Sequence, residues 1–153
     1  MKESMEQTEK VQIAQGSASS TSANAASSKE LALAALEAAL DKKALEPVLI
    51  DVSEQSSYTD FILVLSGRSD RHVQHVADGI EEVLGREHGR HAIGAEGQTE
   101  GRWVLIDYGE VVIHVFHHPL RDFYDLEGLW CDAPRTPIEI PEEARIATTG
   151  DLY

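Results

Sequence analysis

A chain of 153 residues with 27 acidic against 13 basic side chains carries a formal charge of −14, which argues against binding DNA or RNA through its general surface and favours a basic protein as partner. The length suits one domain able to bury a core without staples, and the single cysteine, Cys131, excludes an internal disulfide and a paired-thiolate zinc site. No apolar run of about 18 residues is present to span a bilayer, and no basic amphipathic stretch to lie on one.

Residues 1–28 start with Lys2 among Glu3, Glu6 and Glu9, which resembles neither a secretory signal nor an acid-poor transit peptide, so the cytoplasm is the expected compartment. They pass into GSASSTSANAASS, a small polar tract with too little apolar area to offset its ordering entropy, and are read as a disordered tail. Ser27 and Glu30 then form a capping box, and Leu33, Leu36 and Leu40 follow at helical spacing, predicting a helix from about Lys29 to Ala44 with Pro47 beyond its end. VLIDV (48–52) reads as a buried strand whose one charged member is Asp51, and FILVLSG supplies a second strand from Phe61 to Leu65, closed by Gly67. In the next helix Val73, Val76, Ala77, Ile80, Val83 and Leu84 fall on one stripe, with Ser69 or Asp70 capping its start and Gly85 near its end.

His91 to Glu96, bounded by Gly89, Gly94 and Gly97, is a third strand candidate. Two runs rich in Val, Ile and aromatics, Trp103 to Asp107 and Val111 to Phe116, flank Tyr108-Gly109 and predict a β-hairpin. Pro119 suits a helix's first turn, and Leu120, Phe123, Tyr124 and Leu126 give that helix an apolar side up to Trp130, with Tyr124 and Trp130 assigned to the core. Ala133-Pro134 stops it, leaving 134–153 as a Pro-rich extended tail. The order predicts an α/β domain over 29–133, a mixed sheet of about five strands with flanking helices.

Alternation places Trp103, Leu105 and Asp107 on one face of their strand, with Glu110 just past the turn. Two readings follow: a core Trp with a turn-forming Asp, or an aromatic interface anchor rimmed by acid. His72, His75 and Asp78 recur at i+3 and could offer metal ligands, but they share the polar helix side with Gln74 and Glu81, where solvated residues are the rule. His114, between Val112 and Phe116 on one strand face, reads as a hydrogen-bonded sheet histidine, with no metal assigned. The loop 65–69 opens a helix and could hold an anion, yet has one glycine and neither nucleotide fingerprint. Nucleotidyl transfer would need Asp51, Asp107 and Glu110 to converge on metal ions, which keeps a metal-dependent enzyme as the alternative.

Four segments together resemble the ribosomal silencing factor family, also called Iojap-related: VLIDV (48–52), SSYTDFILVLSGRSDRHV (56–73), GQTEGRWVLIDYGEVVIHVFH (97–117) and RDFYDLEGLWCDAPR (121–135). The resemblance implies a nucleotidyltransferase-like fold without its catalytic carboxylates and a non-enzymatic translational repressor. Such a repressor needs no cofactor, binds the large ribosomal subunit at its protein numbered fourteen, blocks subunit joining in nutrient limitation, and can form homodimers. It also implies that Trp103, Asp107 and Glu110 carry the contact, and so favours the interface reading of the hairpin.

Overall fold

The computed structural model describes residues 18–146, with side chains from Ser27 onward. Helix α1 spans Ala18–Asp41 and therefore begins well before the expected Lys29. Residues 18–28, read from composition as disordered, are its first turns. The rest of that tail, 1–17, and the last seven residues of the Pro-rich tail, 147–153, lie outside the described residues. At its other end α1 stops short of Ala44, where Lys43 turns into the left-handed region at φ 69°.

Strand β1 (Leu45–Asp51) runs antiparallel to β2 (Phe61–Gly67). It starts earlier than the sequence suggested because a bulge between Leu45 and Val48 absorbs Pro47, whose missing N–H would interrupt a regular ladder. Helix α2 (Asp70–His88) is capped by Ser69, whose Oγ accepts from the His72 amide. It ends at Gly89 in the left-handed conformation, and Gly85 lies inside it. Strand β3 is only Gly94–Glu96, so His91 to Ile93 belong to the preceding loop. Hairpin strands β4 (Trp103–Asp107) and β5 (Val111–His117) follow. The sheet is mixed, in the order β1-β2-β5-β4-β3, with β2 and β5 parallel and the other pairs antiparallel.

The predicted final helix splits into α3 (His118–Tyr124) and α4 (Leu126–Leu129) at Asp125, which has φ 47°. Its carboxylate accepts from the Gly128 amide, so one residue closes α3 and caps α4; Gly128 admits that carboxylate because it has no Cβ. Arg121 pins both helices down. Buried at 5% exposure, it donates twice to Glu127, once to the Glu46 carbonyl and once to Ser66 Oγ, joining α3 and α4 to β1 and β2. Burial pushes the Glu127 carboxyl up, but the Arg121 pairing prevails and holds it below the usual range.

Helices α1 and α2 pack on one sheet face, enclosing Leu31, Ala35, Leu63, Leu65, Val76, Ile80, Val104, Ile106, Ile113 and Val115. The opposite face carries a smaller cluster, Ile50, Val52, Ile62, Val64, Phe116 and Ala133, against which Trp103, Leu120, Leu126 and Trp130 are partly buried. The segment after α4 is not a free extension as far as it is described. The Asp51 amide donates to the Pro134 carbonyl and the Thr136 amide to that of Leu49, covering the outer edge of β1 that would otherwise invite strand pairing.

Candidate docking face

The β4–β5 register sets Trp103 opposite Phe116, Leu105 opposite His114 and Asp107 opposite Val112. Burial alternates as the sequence pattern predicts: Val104, Ile106 and Tyr108 are buried toward the helices, while Trp103, Leu105 and Asp107 are half-buried on the other face. That face is only partly roofed, because α3 packs mainly on β5 and β2. The β4 side is left to Trp103 and its neighbours.

Trp103 is neither sealed nor free. Its indole stacks on Phe116 at 4.8 Å between centroids and meets Tyr124 at 4.7 Å, and its Nε1–H donates to His114 Nδ1 at 3.1 Å. His114 is the hydrogen-bonded sheet histidine expected from its place in the strand. At 7% exposure, desolvation alone pushes its imidazole down to about 4, so it is neutral at physiological pH and can accept from the indole.

Beyond the indole the apolar surface continues through Tyr124 to Phe123, whose ring centroids are 5.1 Å apart. Phe123 is 78% exposed, Tyr124 49% and Leu129 75%. Tyr124, assigned to the core by sequence, is thus exposed, and Trp130 is only half-buried. The sequence reading assumed one continuous helix with an inward apolar side. The left-handed Asp125 cuts that helix so short that Leu120 and Leu126 pack against the cluster, Tyr124 meets it only at its edge through Trp103 and Phe116, and Phe123 and Leu129 stay exposed.

The three residues expected to share the contact are not gathered at one point. Asp107 is on the Trp103 face but four residues along the strand, about 13 Å away at 3.3 Å per residue. Its Oδ1 accepts from the Gly109 amide at 2.8 Å and steadies the turn. Glu110 turns toward the loop that ends α2, where Arg90 holds both its oxygens at 2.9 Å. That hydrogen-bonded pairing keeps the Glu110 carboxyl below its usual range. The pair ties the hairpin turn to the loop after α2.

Of the helix residues considered for metal chemistry, His75 and Asp78 are exposed, whereas His72 is engaged internally. His72 Nδ1 accepts from the Arg68 amide at 2.9 Å, and Nε2 bonds to the Lys42 carbonyl at 2.8 Å, leaving no lone pair for a metal. The same bond occupies an amide of the loop considered for an anion. Asp51 and Asp107 are on strands separated by β2 and β5, and Asp51 accepts from Ser53. Among the described residues, no three His, Cys, Asp or Glu side chains are grouped to hold a metal, and no helix is long and apolar enough to cross a membrane.

A family model described as "Ribosomal silencing factor during starvation" matches residues 25–151, which extends the match into the C-terminal segment that the four-segment resemblance left out. The chain is 42% identical over 113 residues to the ribosomal silencing factor of Halalkalibacterium halodurans, covering 74% of this chain and 96% of that one. It is 40% identical over 99 residues to that of Bacillus subtilis, covering 65% and 83% respectively. A crystal structure of a Chromobacterium violaceum protein superposes with a TM-score of 0.65 at 34% identity, covering 74% of this chain and 92% of the other.

Proposed function

This chain belongs to the ribosomal silencing factor family, and we propose that it represses translation by docking on the large ribosomal subunit at the protein numbered fourteen, keeping the small subunit from joining when nutrients are short. The observation that carries this reading is the uncovered half of the second sheet face, where a half-buried Trp103 meets exposed Tyr124, which in turn meets exposed Phe123. Large aromatics grouped at a surface mark contact sites, because a partner that covers them gains apolar burial from side chains already held in place.

Trp103 and Tyr124 form the anchor, with Asp107 as an acidic rim. Glu110 shapes the turn, since Arg90 already neutralises it. The overall charge of −14 would speed approach to a basic ribosomal protein. Steric blockade needs neither cofactor nor bond-breaking chemistry. A second copy of the chain would use the same face, so self-association and subunit binding would compete.

Co-sedimentation of the full chain with purified large subunits tests the reading, with subunit joining followed by light scattering. Wild type should co-sediment and suppress joining. Tyr124→Ala, at an exposed position, should keep the fold and lose about 2 kcal/mol, roughly 30-fold in affinity. Trp103→Ala with Asp107→Lys should abolish binding. Equal binding by wild type and both variants would move the contact off this face.

A further inference from the structure

Although the chain is acidic overall, four exposed cationic side chains, Lys43, Arg68, Arg71 and Arg102, gather at one end of the fold. Lys43 is in the turn from α1 to β1, Arg68 between β2 and α2, Arg71 in the first turn of α2, and Arg102 directly before β4. These loops are tied together. His72 bridges the Arg68 amide and the Lys42 carbonyl, and the His117 amide donates to the Arg102 carbonyl at 2.9 Å. The Gly101 backbone lies so close to α2 that a Cβ there would strike the Asp70 carbonyl.

Arg86, Arg90 and Arg121 each hold a carboxylate, whereas none of these four forms an ion pair among the described residues. The acids adjoining them in the chain are Asp41, Asp70 and Glu100, of which Asp70 lies 3.2 Å from His117 Nδ1. These four cations are thus exposed and unpaired at the end of the fold that the positive end of the α2 dipole also reaches, an end that carries Glu46 and Asp122 as well. That end adjoins the docking face, because Arg102 immediately precedes Trp103.

We propose that this end contacts the phosphate backbone of ribosomal RNA bordering the docking position, an inference that rests on the large-subunit reading above. Three of the four cations are arginines, whose planar guanidinium forks match phosphate oxygens. The net charge of −14 repels phosphate from the surface at large, so a cluster of unpaired cations turns the protein with this end toward RNA. Net charge opposes nucleic-acid binding by the general surface; the cationic end is where that argument does not hold.

The test is a full chain carrying Lys43→Asn, Arg68→Gln, Arg71→Gln and Arg102→Gln together, all at exposed positions, with its fold checked by circular dichroism and urea unfolding. Affinity for large subunits at low salt should fall at least tenfold. The slope of log affinity against log salt should flatten by about 3, since each phosphate contact contributes roughly 0.7 to 0.9. Hydroxyl-radical footprinting should show an rRNA backbone segment protected by wild type and open with the variant. An unchanged slope and footprint would overturn the proposal while leaving large-subunit binding intact. Weakened binding without any rRNA footprint from wild type would also overturn it and assign the cations to an acidic protein. Failure of wild type to co-sediment would instead remove the large-subunit reading, and this inference with it.

Discussion

Acidification should loosen the docking face from beneath, through His114. This imidazole packs against Trp103 and Phe116, and its cross-strand neighbours are Leu105 and Val64, with no carboxylate among them. A proton on Nδ1 would enter where the Trp103 N–H already donates at 3.1 Å, and the new charge would be desolvated without a partner. Burial accordingly lowers the imidazole from 6.5 to about 4. Between those values the unfolded chain binds a proton that the folded chain refuses. Stability from this residue is therefore complete above about pH 6.5 and declines as pH falls, with about 3 kcal/mol lost by pH 4. Urea unfolding of wild type and His114→Gln from pH 7.5 to 4 isolates the effect, because Gln retains an acceptor for the indole and does not titrate. His118, lowered first by burial and then by Arg121, acts in the same direction but is present in both proteins and cancels, as do Glu110 and Glu127. The stability difference between the two proteins should shift by about 3 kcal/mol in favour of the variant across that range. Parallel curves would refute the account of a desolvated, neutral acceptor beneath Trp103.

Three further outcomes follow from the packing. Tyr108 is 2% exposed and its hydroxyl has no hydrogen-bond partner among the described residues, so Tyr108→Phe should leave stability unchanged or raise it by about 1 kcal/mol; a clear loss in urea titrations would contradict this. Arg121→Ala removes the donors to Glu127, Ser66 and the Glu46 carbonyl at once, and should cost about 3 to 5 kcal/mol, part of it recovered by adding Glu127→Gln. Gly101→Ala forces a Cβ into the Asp70 carbonyl at φ 71° and should cost about 3 kcal/mol, whereas Gly94→Ala, with open space at its Cβ, should change the melting midpoint little.

The second sheet face shows how far local pattern reaches. Alternation in Trp103 to Asp107 separated the residues turned to the helices from those turned away, because a strand's period of two does not depend on its neighbours. The stripe from Val73 to Leu84 likewise marked the side of α2 that meets the sheet. The same reasoning erred over 118–129, where the apolar spacing was sound but the helix was not continuous. Asp125 in the left-handed region altered which side chains α3 and α4 could bury, and so created the exposed rim of the candidate site.

By itself the sequence determined the element types, the two faces of the hairpin, the acidic surface and, through four matching segments, the family. Only the tertiary structure decided that Glu110 answers to Arg90, that Arg121 reaches the Glu46 carbonyl, that His114 holds the Trp103 indole, and that the C-terminal segment lies along β1. The division has a physical cause. Periodicity follows from backbone geometry within one element, whereas these partners are 11 to 75 residues apart or more, and their meeting depends on how the strands are ordered and where the loops return the chain.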